Sequence, residues 1–289
     1  MTLSVVIITH NEEANIGRTL ESVRPLVSDG KGEIIVVDSG STDRTVEIAR
    51  SFDAKVFVEE WKGYAAQKNS AIDKATSEWI LSLDADEEVS TELMAEIAEL
   101  LSLPSGIKLY KLAPGAWHAW IQRDGDLVVA YDDQREGPLE SAEIGRKNFF
   151  LGRWIRRGGF YPDRKLRLFR HGAATFENRP VHEDAHADGL SVRLVGTLTH
   201  HSYPTLSDYI DHMNRYSSLG AEMVVAKANG KVRFSVINIV LRPLATFFYN
   251  YFFRLGFLDG REGLLLHLYH AVYVSWKYAK AWELARKQQ

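Results

Sequence analysis

The sequence predicts an α/β protein: a mostly parallel sheet flanked by helices, followed by a helical C-terminal appendage. Two observations predict it. Four short apolar runs in the first hundred residues are each followed by a segment of helical period, the signature of βαβ units. From Lys231 onward the composition changes to a basic, strongly aromatic one.

The elements follow in order. "LSVVIIT" (3–9) reads as a first strand, and in "EEANIGRTLESV" Ile16, Leu20 and Val23 fall at helical spacing. "EIIVVD" precedes "STDRTVEIARSF", "AKVFVEE" precedes "GYAAQKNSAIDKA", and "EWILSLD" precedes "STELMAEIAELL", giving three more pairs. Strands alternating with helices of this length build a parallel sheet covered on both faces. In such sheets ligands bind beyond the carboxyl ends of the strands. The rule gathers "THNEE", "DSGSTD" and "DADEE" into one crevice.

Each loop offers chemistry. "ILSLDADEEV" (80–89) ends an apolar run in Asp84, Asp86, Glu87 and Glu88. Such a cluster is either a charged turn that keeps a strand end soluble or a site for a divalent cation, which two carboxylates one residue apart can ligate through oxygen. In "VVDSGSTD", Gly40 permits a tight turn and Ser41, Thr42 and Asp43 are good helix caps. Asp38 is not needed for capping and can accept from a base imide or a ribose hydroxyl. The fingerprints G-x-G-x-x-G and G-x-x-x-x-G-K-[ST] are absent, which disfavours a standard dinucleotide fold or a P-loop enzyme.

Composition bounds the remaining classes. The 289 residues, 45% hydrophobic and 25% charged, suit one large domain or a domain with an appendage. With no cysteine, disulfides and cysteine-ligated zinc are excluded. "MTLSVVIITHNEE" has no basic start and only a short apolar run, so it reads as a strand and not a signal peptide, and a cytoplasmic protein is expected. The net charge of −3 is asymmetric: about +6 from Lys231 onward and about −9 before it. The two apolar aromatic stretches of that segment are broken by Arg242, Pro243, Arg254 and two histidines, too short to span a bilayer. Helices lying on an anionic membrane surface suit this composition; packing on the catalytic domain or a second subunit is the alternative.

Taken together and in register, "SVVIITHNEEANIGRTLESV", "IIVVDSGSTDRTVEIA", "AAQKNSAI" and "WILSLDADEEV" resemble the nucleotide-binding half of family 2 glycosyltransferases of the GT-A fold. "NFFLGRWIRRGGFYPDRKLRLFR", "ENRPVHED", "LVGTLTHHSYPTLSDYIDHMNRYSSLGA" and "RLGFLDGREGLLLHLYHAVYVSWKYAKAWE" are similar to the branch that includes lipopolysaccharide-core β-glucosyltransferases. The resemblance implies inverting transfer of a sugar from a nucleotide-diphosphate-sugar, UDP-hexose, to a glycan or glycolipid acceptor. It implies that Thr9, Asn11 and Glu12 line the nucleotide pocket, Asp38 recognises the base with Lys68 nearby, Asp84 contacts the ribose or metal-bound water, and Asp86 binds Mg²⁺ or Mn²⁺. Glu183 in "RPVHED" matches the position of the base, with Asp184 as rival.

The remaining candidates come from local chemistry. His200 in "LTHHSY" fits a further metal or diphosphate contact, or a histidine packed at a strand end. Residues 153–170 hold seven Arg/Lys against one acid, interleaved with Trp154, Phe160 and Tyr161. They read as a solvated basic face or as a surface for donor or acceptor phosphates, with Arg164, Arg167 and Trp154 as contacts. Overall acidity and the lack of a recognition motif argue against nucleic acid. The expected organisation is a catalytic domain over 1–230, with a nucleotide-binding half to about 112, an insertion at about 113–143 whose Asp-Gly pair signals a hairpin, an acceptor half from about 144, and a membrane-association or packing segment over 231–289. A homodimer stays open. A nucleotide-sugar-forming nucleotidyltransferase and an inactive nucleotide-sugar-binding membrane module remain alternative functions.

Overall fold

The computed structural model describes residues 1–102, 139–177, 185–187 and 189–287, together with the backbone of 119–121 and 127–129. The first half contains strands β1 (Leu3–Thr9), β2 (Gly32–Asp38), β3 (Lys55–Val58), β4 (Trp79–Asp84) and β5 (Glu87–Val89), and helices α1 (Ile16–Val27), α2 (Thr45–Ser51), α3 (Tyr64–Ile72) and α4 (Thr91–Ser102). Two short strands, β6 (Ala119–Ile121) and β7 (Leu127–Val129), then pair antiparallel. Strands β8 (Leu139–Phe150), β9 (Arg153–Trp154), β10 (Asp163–Arg170), β11 (Ala174–Phe176), β12 (Ala185–Ala187) and β13 (Leu190–Tyr203) follow. Helices α5 (Leu206–Lys227), α6 (Arg242–Phe248) and α7 (Gly260–Lys287) complete the chain.

The chain forms two compact units, Met1–Arg146 with Arg164–His200, and Lys147–Asp163 with His201–Gln289. The sheet runs β3-β2-β1-β4-β10-β8-β13-β5, with β9 added on β8. Its first four strands are parallel. The βαβ rhythm of the sequence therefore ends where the crossover helices end. Beyond β4 the pairings of β10 with β4 and of β13 with β5 are antiparallel. Strand β8 begins at Leu139, so the end of the segment set apart in the sequence as 113–143 belongs to the sheet.

Burial on both faces explains the near-continuous Val/Ile runs. Leu3, Val5 and Ile7 face Ile16, Leu20 and Val23 of α1 and Leu93 and Ile97 of α4. Val6 points the other way, joining Ile35, Val37 and Ile80 against Ala65, Ala71 and Ile72 of α3. Each such aliphatic side chain contributes about 1.5–3 kcal/mol of burial.

In the second unit α5 packs along α7. A capping box starts α5, Thr205 and Asp208 exchanging side-chain and backbone bonds. Ala221 and Val225 of α5 meet Ala281 and Ala285 of α7, while Tyr209 and Met213 join Phe150, Ile155 and Leu266. This apolar stripe joins α5 to α7, and both helices lie in the second unit. The helix that follows α5 is unlike it: the π turns Ile237–Leu241 and Tyr249–Phe253 and α6 between them bury Pro243 alone.

Candidate active site

The loops after β1 and β2 are laced together. Ser41 Oγ accepts the Asn11 amide at 2.8 Å, Asn11 Oδ1 accepts the Thr42 amide at 2.8 Å, and Thr45 Oγ1 accepts the Glu12 amide at 2.7 Å. Asn11 takes a left-handed conformation, φ 55°, which asparagine tolerates better than most residues. Asp38 closes its own loop: Oδ2 accepts the amides of Gly40 and Ser41 at 2.9 and 2.8 Å, and Oδ1 accepts the Ser41 hydroxyl. Gly40 sits at φ 81°, where a side chain would strain the turn. Asp38 is buried, so the reading that spared it from loop duty is corrected. Thr9, paired with Asp38 across the strands, is buried with its hydroxyl unpartnered among the described residues.

At the end of β4 the four acids separate into different roles. Asp84 Oδ1 pairs with Lys68 Nζ at 2.9 Å and Oδ2 with Arg167 at 2.5 Å, with Arg146 at 3.8 Å. Burial raises the Asp84 pKa, but Arg167, Lys68 and Arg146 more than offset it and hold the carboxyl well below the usual range. Glu87 is fully buried; Oε1 meets Arg146 at 3.0 Å and Arg167 at 2.7 Å, while Oε2 accepts the Asp84 amide. Glu88 turns outward to Arg18. Thr19 of α1 donates to the Ala85 carbonyl at 2.7 Å and pins the turn between Asp84 and Asp86.

Asp86 has a different partner. The register of β13 on β5 sets His200 opposite Glu87, and this brings His200 Nε2 to 3.2 Å from Asp86 Oδ2. Both side chains keep about a fifth of their surface open, 21% and 17%. Burial opposes the charge on each, yet the pair prevails: the Asp86 pKa lies below its ordinary value and that of His200 above. Burial likewise raises the Glu12 pKa; the Asn15 amide opposes this, and the carboxylates of Asp86, Asp43 and Asp84 add to the rise.

The expected Mg²⁺ or Mn²⁺ would need oxygen or nitrogen donors that converge. Among the described residues no group of three His, Cys, Asp or Glu converges as a metal cage. Asp84 is committed to three cations and Glu87 is enclosed. Asp86 and His200 are the pair that fits, because donors about 2.1 Å from an octahedral ion lie about 3 Å apart. One carboxylate and one imidazole leave most of the shell to substrate oxygens and water, the usual arrangement for Mg²⁺ with phosphates.

The structure thus brings together Glu12, Lys68, Asp84, Asp86, Arg167 and His200 from the sequence-derived set. Arg167, expected to face phosphate, is instead buried inside the carboxylate network. Arg164 is exposed. Trp154 belongs to the second unit, its ring flanked by Lys147 and Arg156 at 5.0 and 4.5 Å. Glu183 and Asp184 lie outside the described residues. Sequence reasoning missed Arg146 and the enclosed role of Glu87. A signal existed at Arg167: it shares a strand face with the buried Phe169, and an inward arginine demands a buried carboxylate.

Residues 4–107 match the profile described as Glycosyl transferase family 2. Over these residues the chain is similar to family 2 glycosyltransferases. Its sheet, parallel in the first four strands, with β10 antiparallel to β4 and β13 antiparallel to β5, has the mostly parallel start flanked by helices that the sequence leads one to expect. An uncharacterised glycosyltransferase of Rickettsia typhi is 29% identical over 289 residues, 99% of this chain and 89% of that protein. The lipopolysaccharide core biosynthesis glycosyltransferase LpsC of Rhizobium meliloti is 27% identical over 291 residues, 98% of this chain and 93% of LpsC. Among solved structures, residues 1–349 of S. aureus TarS align with 100% of this chain and 92% of that one, at 17% identity and a TM-score of 0.42.

Proposed function

We propose that this glycosyltransferase moves a hexose, with inversion, from a UDP-sugar to a hydroxyl of a glycan or glycolipid acceptor of the lipopolysaccharide-core type, at the inner face of the cytoplasmic membrane. The observation that carries the proposal is the open Asp86–His200 pair beside a cation-clamped Asp84, at the carboxyl ends of the parallel strands. The similarity to LpsC along nearly the full length of both chains supports the acceptor class.

The residues divide the work. Asp86 and His200 hold Mg²⁺ or Mn²⁺, which when bound supplies positive charge to the departing diphosphate. Lys68, Arg146 and Arg167 keep Asp84 ionised and fixed, and Asp84 then accepts from the donor ribose or from water beside the diphosphate. Thr9, Asn11, Glu12 and Asp38 form the floor of the nucleotide pocket. Glu183, with Asp184 as its rival, takes the proton of the acceptor hydroxyl as that oxygen attacks the anomeric carbon. Arg164 and Trp154 serve the acceptor.

The test is a panel of nucleotide-sugars screened for Mn²⁺-dependent thermal stabilisation, followed by transfer assays with the ligand that stabilises most. A UDP-hexose that raises Tm only with metal, and whose product has the opposite anomeric configuration, supports the reading. Stabilisation by nucleoside triphosphate plus sugar phosphate instead would assign a nucleotidyltransferase.

A further inference from the structure

We infer that the apolar stretch from Phe234 to Leu258 is the element by which this chain enters an anionic lipid surface, and that the loop carrying Arg156 and Arg157 supplies part of its headgroup-facing rim. The inference rests on the membrane-surface part of the reading above and is independent of the transfer chemistry.

The exposure of this stretch is the first observation. Ile237, Leu241, Leu244, Phe248 and Phe252 recur at three- to four-residue spacing and leave 49–64% of their surfaces open, and Phe253 leaves 79%. Contiguous apolar surface on this scale marks an interaction site. No described helix is long and apolar enough to cross a membrane, so an element of this kind lies in the interface with its aromatic side among the acyl chains.

Charge decides what covers it. Lys231, Arg233, Arg242, Arg254 and Arg261 are all exposed, whereas of the two acids in this span Asp259 is buried and Glu262 pairs with Arg153 at 3.6 Å. The Arg156–Arg157 loop is fastened to the same element. Asp259 accepts the amides of Arg156 and Arg157 at 3.2 and 2.8 Å, and the Arg254 carbonyl accepts the Gly158 amide at 3.0 Å. Gly158, at φ +66°, lies so close to α7 that a Cβ there would sit 1.9 Å from the His267 ring. The loop backbone is thereby fixed while the Arg156 and Arg157 side chains stay exposed. A second copy docking through the same patch would set arginines against arginines with no free acid to meet them. A bilayer containing anionic lipid offers hydrocarbon to the phenyl rings and phosphates to the guanidinium groups.

Flotation of the full-length protein with phosphatidylcholine vesicles, with and without phosphatidylglycerol, tests this. The wild type is expected to float with the anionic vesicles, less at high salt but still measurably, and to be released by carbonate. Phe248→Ser with Phe253→Ser should lose at least tenfold in vesicle binding at every salt while still binding donor nucleotide. Arg156→Gln with Arg157→Gln should lose about fivefold or more on anionic vesicles and show a shallower salt dependence. Thermal unfolding verifies each variant, and Phe253→Ser alone serves if the double variant does not fold. Vesicle binding unchanged in the phenylalanine variants, resistance to carbonate, or a dimer that forms through this patch with no flotation would each overturn the inference. A failed transfer assay would leave it standing.

Discussion

Asp86 Oδ2 and His200 Nε2 stand 3.2 Å apart, held there by the pairing of β13 with β5 and by the turn that Thr19 pins through Ala85. Neighbouring Asp84 meets three cations instead, Arg167 at 2.5 Å, Lys68 at 2.9 Å and Arg146 at 3.8 Å. The two aspartates of one short motif are thereby given different chemistry: one is neutralised and rigid, the other remains available to a ligand.

If His200 shares the ion with Asp86, replacing it by Ala should leave the fold intact and raise the Mn²⁺ concentration for half-maximal activity. The expected rise is on the order of 10–100-fold, the range seen when supports of a metal site are lost. Metal titration of activity checks it. An unchanged titration would make His200 a strand-end packing residue.

Arg167→Met should be severely destabilising. It leaves Glu87, fully buried, with one cation where it had two, and strips Asp84 of its closest partner. Breaking a buried pair from one side costs about 3–5 kcal/mol. Urea unfolding measures this, and Arg167→Met combined with Glu87→Gln should recover part of the loss.

The acid limb of stability should carry the signature of Glu33. Burial raises the pKa of this carboxyl, but Lys55, Ser4 and Thr76 together lower it to about 2. With an unfolded value near 4.3, the folded pKa is the depressed one, so the stabilisation is present above about pH 4.3 and is lost as pH falls towards 2. Unfolding midpoints between pH 2 and 7 should show the loss. Glu33→Gln should flatten that slope and cost about 1–3 kcal/mol at neutral pH, since Ser4 and Thr76 lose a charged acceptor.

The first hundred residues declared their fold because β1, β2 and β4 are buried on both faces and α1 and α4 each present an apolar stripe, so the two periods stand out in the sequence. The site was legible only in part. Asp84 and Asp86 were found because acids at the end of an apolar strand are conspicuous, but nothing local separates the enclosed Glu87 from the solvated Glu88; the distinction is made by Arg146 and Arg167, from strands far along the chain. The turn-closing bonds of Asp38 were also hidden, because in sequence a carboxylate that accepts the amides of its own loop looks the same as one that does not. The grouping of α5 with α7 was hidden for a similar reason: it depends on small residues meeting across two helices, Ala221 against Ala281 and Ala285.

For the acceptor side, Glu183→Gln should lower the transfer rate by about 10²-fold or more with donor affinity little changed, as expected for loss of a general base. Single-turnover transfer beside donor-binding titrations separates the two effects. An equal loss in Asp184→Asn, with Glu183→Gln active, would move the role to Asp184.

The most direct measurement is the rate of sugar transfer as a function of added Mn²⁺ in the wild type and in Asp86→Asn. The account predicts no transfer in chelator, restoration by Mn²⁺ or Mg²⁺, and in Asp86→Asn a fall of about 10²-fold or more, with the unfolding midpoint little moved. Full wild-type transfer in chelator, or near-wild-type transfer by Asp86→Asn, would contradict it.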